Sequence, residues 1–120
     1  MDVLLIDDSE VIRNLYSDIL SSRGDSVTSV NNGKAGLKLL AQNDYDLILL
    51  DMCMPRYSGM QFLEDLKNQK PSDLKRVIVI SRLALDENWT DKLEEYGINS
   101  IEEKPLGIVS LESSKPLVTK

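Results

Sequence analysis

The sequence predicts an α/β protein built on an open parallel sheet with helices on both faces. Short apolar runs alternate about five times with longer stretches of helical spacing, and this alternation favours parallel strands joined by right-handed crossovers. Three of the runs are almost wholly apolar, which is typical of strands covered on both faces. The five predicted strands are residues 3–6, 26–30, 47–50, 77–80 and a weaker run at 98–102.

Four stretches between the predicted strands carry apolar residues at helical spacing. Ser58, with Gln61 three residues on, predicts a capping box at the start of the third helix, and Gly97 predicts the end of the fourth. Trp89 and Tyr96 are interpreted as packing residues, and Glu94 and Glu95 as a solvated face. The stripes are Val11, Ile12, Leu15, Ile19 and Leu20; Leu37, Leu39 and Leu40; Phe62, Leu63 and Leu66; and Trp89, Leu93 and Tyr96.

The end of the chain predicts a short or irregular last helix. Gly107 weakens the start of a helix there, and Pro116 cannot lie in a helix interior at low cost. We expect residues 115–120 to form a frayed tail.

Length and composition restrict the function. A chain of 120 residues fits a single domain, which we assign to residues 1–120. The 14 basic and 20 acidic residues give a net charge of −6, which argues against direct binding of nucleic acid. The absence of histidine excludes histidine-based catalysis and histidine-ligated zinc, and the single cysteine excludes an intrachain disulfide. The sequence has no membrane-length apolar run and no signal peptide, so we expect a cytoplasmic protein.

Polar residues follow four of the predicted strands. Asp7 and Asp8 follow the first, Asp51 the third, Ser81 the fourth and Lys104 the fifth. Because ligands of a doubly wound sheet bind at the carboxyl ends of its strands, we expect these side chains to meet at one edge.

The grouping of these side chains points to phosphoryl chemistry. Three crowded carboxylates repel one another, and a divalent cation relieves that repulsion. An all-oxygen site suits Mg²⁺ better than zinc. A metal, the Lys104 amine and the Ser81 hydroxyl can together neutralise and bind a phosphoryl group, while a carboxylate such as Asp51 can accept it as a nucleophile.

Four fragments, in order, resemble the receiver domain of two-component response regulators, a flavodoxin-like, chemotaxis-Y-like phosphoacceptor module. The resemblance covers the chain from residue 3 to about residue 111 and implies the strand order 2-1-3-4-5. The fragments are Val3-Leu4-Leu5-Ile6-Asp7-Asp8-Ser9; Leu47-Ile48-Leu49-Leu50-Asp51-Met52-Cys53-Met54-Pro55 leading to Ser58-Gly59; Val77-Ile78-Val79-Ile80-Ser81; and Lys104-Pro105.

The resemblance implies a role for each residue of the metal site. Asp51 resembles the aspartate that a histidine kinase phosphorylates. Asp8 and Asp51 would bind Mg²⁺ through their carboxylates, the backbone carbonyl of Cys53 would be a third ligand, and Asp7 would act through a coordinated water. The side chain of Cys53 is interpreted as a small buried apolar group.

The resemblance also implies how the phosphoryl group is sensed. Lys104 would pair with the phosphoryl oxygens, Ser81 resembles the switch hydroxyl, and a cis peptide bond before Pro105 would direct Lys104 into the site. Three departures from the family pattern lie on the expected output side, one of which is Glu102-Glu103, where the family has mostly apolar strand residues. Ile101 replaces the usual aromatic switch residue, and Arg82 replaces the small residue after the switch hydroxyl, so we expect both to modify signalling.

The resemblance thus implies a regulatory domain, not an enzyme acting on an external substrate. It would take a phosphoryl group from a sensor histidine kinase or a histidine phosphotransfer protein and then control an unknown output protein or self-associate. One alternative is a receiver-like interaction module that is not phosphorylated. A second is an Mg²⁺-dependent phosphatase, although Cys53 stands where such enzymes carry a second aspartate. A nucleotide- or flavin-binding protein is disfavoured because Asp7-Asp8-Ser9 is not a glycine-rich loop.

Overall fold

A computed structural model describes residues 1–81, 87–98 and 101–103 of the chain, and a parallel sheet forms its centre. The strands are β1 (Asp2–Ile6), β2 (Ser26–Val30), β3 (Leu47–Asp51), β4 (Val77–Ser81) and β5 (Ile101–Glu103). Neighbouring strands are all parallel and follow the order β2-β1-β3-β4-β5. The prediction of a parallel α/β sheet is therefore confirmed.

The last strand differs from its predicted position. β5 begins at Ile101 instead of residue 98 and pairs with β4 through Val79 and Ile101. Ile98 precedes the strand and is a buried core residue. The predicted last helix and the frayed tail over 115–120 lie outside the described residues.

The helices alternate with the strands as the sequence predicts. They are α1 (Glu10–Ser22), α2 (Gly33–Gln42), α3 (Gly59–Gln69) and α4 (Glu87–Glu95), with a 3₁₀ helix (Pro71–Arg76) before β4. The first three helices begin behind Ser9, Asn32 and Ser58, whose side-chain oxygens each accept a backbone N–H from the first turn. Among the described helices, none combines the length and the apolarity that crossing a bilayer requires.

Both predicted helix-end signals correspond to real ends. Ser58 accepts the backbone N–H of Gln61 at 3.1 Å, as predicted, while the Gln61 side chain donates to Asp65 farther along the helix. Gly97 has a φ of +79° just beyond α4, the left-handed conformation that glycine adopts at low cost.

Apolar residues cover both faces of the sheet. One core cluster joins β1, β3 and β4 to α2, α3 and α4, and a second cluster joins the opposite face to α1. β2 lies at an edge, and its half-polar sequence matches its partly exposed side chains. Helices therefore lie on both faces, which leaves the carboxyl ends of the strands as the edge where polar loops meet.

The predicted apolar stripe of α1 is partly wrong. Val11 is 75% exposed and Leu15 is 42% exposed. The helix contacts the sheet through a narrower stripe that contains Tyr16 and Leu20, with Ile12 and Ile19 packed at its border. These positions repeat at the i, i+4, i+7, i+8 spacing of one helix face, and Val11 and Leu15 lie beside that face.

Candidate metal and phosphoacceptor site

The first part of the site lies where β1 ends. Asp7 follows Ile6 directly and is fully buried, whereas Asp8 is exposed. One carboxylate oxygen of Asp7 accepts the backbone N–H of Ser9 at 2.9 Å, and Arg13 donates to the Asp7 backbone carbonyl at 2.7 Å. The turn into α1 therefore holds one carboxylate inside the protein and leaves the next at the surface.

The second part of the site is the last residue of β3. Ile6 of β1 pairs with Leu50 of β3, so the residues that follow, Asp7 and Asp51, leave the sheet at the same edge. Asp51 is fully buried, and its Oδ1 accepts the backbone N–H of Cys53 at 3.0 Å. Four apolar residues anchor this strand between β1 and β4, which fixes the position of the Asp51 carboxylate.

These two strand ends bring three carboxylates together. Asp7, Asp8 and Asp51 each offer an oxygen, and the three oxygens all lie within 4.8 Å of one another. Carboxylate oxygens are the ligands that Mg²⁺ prefers, and a site with few protein ligands suits its retained waters. The donor set therefore fits Mg²⁺, with the exposed Asp8 on the side open to solvent.

The loop between β3 and α3 corrects one prediction. The side chain of Cys53 is exposed and not buried, although Met52 and Met54 on either side of it are buried in the core. Its backbone N–H faces Asp51. The use of its carbonyl as a metal ligand stays a prediction.

The remaining predicted residues are described only in part. Ser81 is the last residue of β4, and Ile101 is the first residue of β5; for both, only the backbone position is described. Arg82, Lys104 and Pro105 lie outside the described residues. The structure thus brings the three aspartates together and places the end of β4 beside them, through the pairing of Asp51 with Ile80.

Tyr57 is a residue near the site that the sequence reasoning missed. Its hydroxyl hydrogen bonds to Asp65 of α3, and the Lys34 ammonium lies 5.7 Å from the centre of its ring. Burial and the Asp65 carboxylate raise the pKa of the Tyr57 hydroxyl well above its usual range. An aromatic residue in the loop between β3 and α3 was the available signal.

Comparison with known proteins shows which family this chain belongs to. The model of the family described as the response regulator receiver domain matches residues 3–114. "Probable chemotaxis protein CheY" of Rhizobium etli is 27% identical over 113 residues, which cover 93% of this chain and 87% of that protein. Protein-glutamate methylesterase/protein-glutamine glutaminase 2 of Methanosarcina acetivorans is 36% identical over 110 residues, which cover 89% of this chain but 30% of that protein.

A solved structure gives the same fold. The receiver domain of a sensor histidine kinase from Pseudomonas aeruginosa, described with a magnesium ion coordinated in its active-site cleft, matches with a TM-score of 0.84 at 22% identity, covering 99% of this chain and 98% of that one. The family match spans nearly the whole chain, and the strand order agrees with it. The chain therefore belongs to the response regulator receiver domain family of two-component signalling systems.

Proposed function

We propose that this chain accepts a phosphoryl group on Asp51 and uses it to switch between two conformations. The single observation that supports this most is the group of three carboxylates within 4.8 Å at the ends of β1 and β3. Asp51 is the member that the sheet holds most firmly, since it is buried and lies within a strand. The donor would be a sensor histidine kinase or a histidine phosphotransfer protein.

The transfer is a substitution at phosphorus. A carboxylate oxygen of Asp51 forms a bond to phosphorus while the bond from phosphorus to the donor imidazole nitrogen breaks. The Cys53 N–H donates to Oδ1 of Asp51 at 3.0 Å. This hydrogen bond from the loop fixes the orientation of the Asp51 carboxylate. Hydrolysis restores the unphosphorylated form, because water attacks the acyl phosphate of Asp51 and releases inorganic phosphate.

The other residues have supporting roles in this proposal. Asp8, Asp51 and the Cys53 carbonyl would hold Mg²⁺, and Asp7 would act through a water. The bound cation would supply positive charge against the carboxylates and the phosphoryl oxygens.

The sensing residues complete the proposal. Lys104, aimed by Pro105, would pair with the phosphoryl group, and Ser81 would move toward it. Arg82 and Ile101 would modify the response. Phosphorylation would shift the population toward a form that binds an output protein or a second copy of the chain.

The chain would be a regulatory domain over residues 1–120, acting in the cytoplasm and assisting only its own phosphorylation and dephosphorylation. The alternative, a receiver-like module that is not phosphorylated, predicts a different outcome in one experiment. The protein is incubated with acetyl phosphate and Mg²⁺, and its intact mass is measured.

The expected result is a mass increase of one phosphoryl group, located at Asp51 by peptide mapping. Asp51→Asn should abolish it, and Asp18→Asn, which changes an exposed carboxylate on α1, should leave it unchanged. An unmodified wild-type protein would favour the interaction module. Turnover of a phosphate ester would favour a phosphatase.

A further inference from the structure

The loop between β3 and α3, residues 52–58, closes on itself at its base. The Gly59 N–H points to the Met52 carbonyl at 3.5 Å, and a Cβ on Gly59 would lie 2.7 Å from the Met52 Cα. The two ends of the loop are thus in direct backbone contact. This contact fixes the base, and the outer part of the loop needs a support of its own.

The outer part of the loop contains a strained turn. Arg56 has a φ of 68°, and the Tyr57 N–H donates to the Pro55 carbonyl across it at 2.7 Å. A three-residue turn closed by such a hydrogen bond is a γ-turn, and a positive φ at its central residue defines the rare form. That form is costly for a residue other than glycine. A strained turn persists only where its surroundings impose it.

The side chain of Tyr57 supplies that constraint. Its hydroxyl bonds to Asp65, and its ring lies so close to α2 that a Cβ on Gly33 would be 2.6 Å from two ring carbons. The Lys34 ammonium approaches the same ring. Tyr57 therefore connects the loop to both α2 and α3 directly after the strained residue.

We propose that Tyr57 is a positioning residue for the metal and phosphoacceptor site. By fixing the outer part of the loop, it keeps the Cys53 backbone against Asp51, where the N–H bonds to Oδ1 at 3.0 Å. The effect of Tyr57 on Mg²⁺ affinity rests on the proposed function, in which the backbone carbonyl of Cys53 is a metal ligand. Its effect on the Cys53–Asp51 hydrogen bond does not depend on that function.

The test compares two tyrosine variants that lose the same kind of bond. Tyr57→Phe removes the hydroxyl that bonds to Asp65, and Tyr96→Phe removes a hydroxyl that bonds to Glu64, the preceding residue of α3. Two quantities are measured in each: amide hydrogen exchange at Cys53 in metal-free protein, and the Mg²⁺ dissociation constant by calorimetry. Urea unfolding reports any general loss of stability.

We expect Tyr57→Phe to speed exchange at Cys53 and to weaken Mg²⁺ binding, each by roughly three- to tenfold, which is within the range for one ordinary hydrogen bond. Tyr96→Phe should change neither quantity by more than about twofold, even where its stability falls equally. Asp65→Asn, which keeps an acceptor oxygen, should retain most of the wild-type behaviour.

Equal exchange at Cys53 in wild type and Tyr57→Phe would overturn the proposal, as would equal changes in both tyrosine variants. If wild-type protein bound no Mg²⁺, the proposed metal site would fail, and exchange at Cys53 would still decide the role of Tyr57.

Discussion

Replacing the Asp51 carboxylate by an amide should stabilise the metal-free protein. Asp51→Asn keeps the size of the side chain and an oxygen that can accept the Cys53 N–H, so the replacement leaves no cavity in the core. What it removes is one negative charge from a group of three. The change thus isolates the electrostatic cost of bringing these carboxylates together.

The size of that cost follows from the geometry. Two unit charges 4.8 Å apart repel by about 0.9 kcal/mol in bulk water and by about 3.5 kcal/mol at the effective dielectric constant of about 20 near a protein surface. Asp51 takes part in two such pairs, with Asp7 and with Asp8. Because Asp8 is exposed, the lower value applies to its pair, and the higher value applies to the pair of the buried Asp7 and Asp51. Repulsion alone would therefore give a gain of up to about 4 kcal/mol.

The assay is urea unfolding with and without Mg²⁺. In EDTA, Asp51→Asn should unfold at a higher urea concentration than wild type. Saturating Mg²⁺, at about 100 times its dissociation constant, should stabilise wild type by about 2.7 kcal/mol and the variant by much less. Asp18→Asn serves as the control for removing one exposed charge. An Asp51→Asn variant that is no more stable than wild type in EDTA would refute the argument that repulsion dominates this site.

Two further predictions concern α3 and its neighbours. Burial and the Glu64 carboxylate raise the pKa of Tyr96 to about 12, above its ordinary value of 10.0. Folding therefore favours the neutral phenol of Tyr96. The phenol's contribution to the free energy of unfolding is complete below about pH 10, and it is lost at about 1.4 kcal/mol per pH unit as the pH rises toward 12. Urea unfolding of wild type and Tyr96→Phe at about pH 9 and about pH 11 should show a smaller loss in the variant, and parallel losses would contradict this. Gly59→Ala should cost about 1–3 kcal/mol, because its Cβ would lie 2.7 Å from the Met52 Cα and 3.0 Å from the Asp51 carbonyl oxygen; an unchanged urea midpoint would show that the loop base can yield.

The strands and the acidic cluster were predictable because both depend on local sequence. An apolar run such as residues 47–50, flanked by polar residues, fits a strand buried on both faces. Once the strands are parallel, the residues directly after them share an edge, whatever lies between them in sequence. Asp7, Asp8 and Asp51 could therefore be grouped from their positions alone.

The orientation of side chains in loops and along helix borders was less predictable. The exposed Val11 and Leu15 each immediately precede a residue, Ile12 or Tyr16, that packs against the sheet. Only the way in which α1 docks on the sheet decides which of these adjacent positions is covered. Cys53 was expected to be buried from its residue type, but it is exposed, and the buried side chains of this loop are those of Met52 and Met54. Tyr57 depends on contacts with α2 and α3, which no short sequence window contains.

The charged groups around the buried acidic residues divide those residues into two kinds in this protein. Among the described residues, the buried acids are Asp7, Asp25, Asp51 and Asp73. Asp73 lies 3.6 Å from the Lys70 ammonium and 3.5 Å from the Arg76 guanidinium, and Asp25 lies 3.0 Å from the amino group of Met1. These two carboxylates have nearby positive charge and connect parts of the chain. Asp7 and Asp51 lie beside each other and Asp8, with carboxylate oxygens within 4.8 Å, an arrangement in which like charges repel and a bound cation would relieve the repulsion. Mutual repulsion makes such a grouping costly for the folded protein, which agrees with the proposed role of the cluster in binding Mg²⁺.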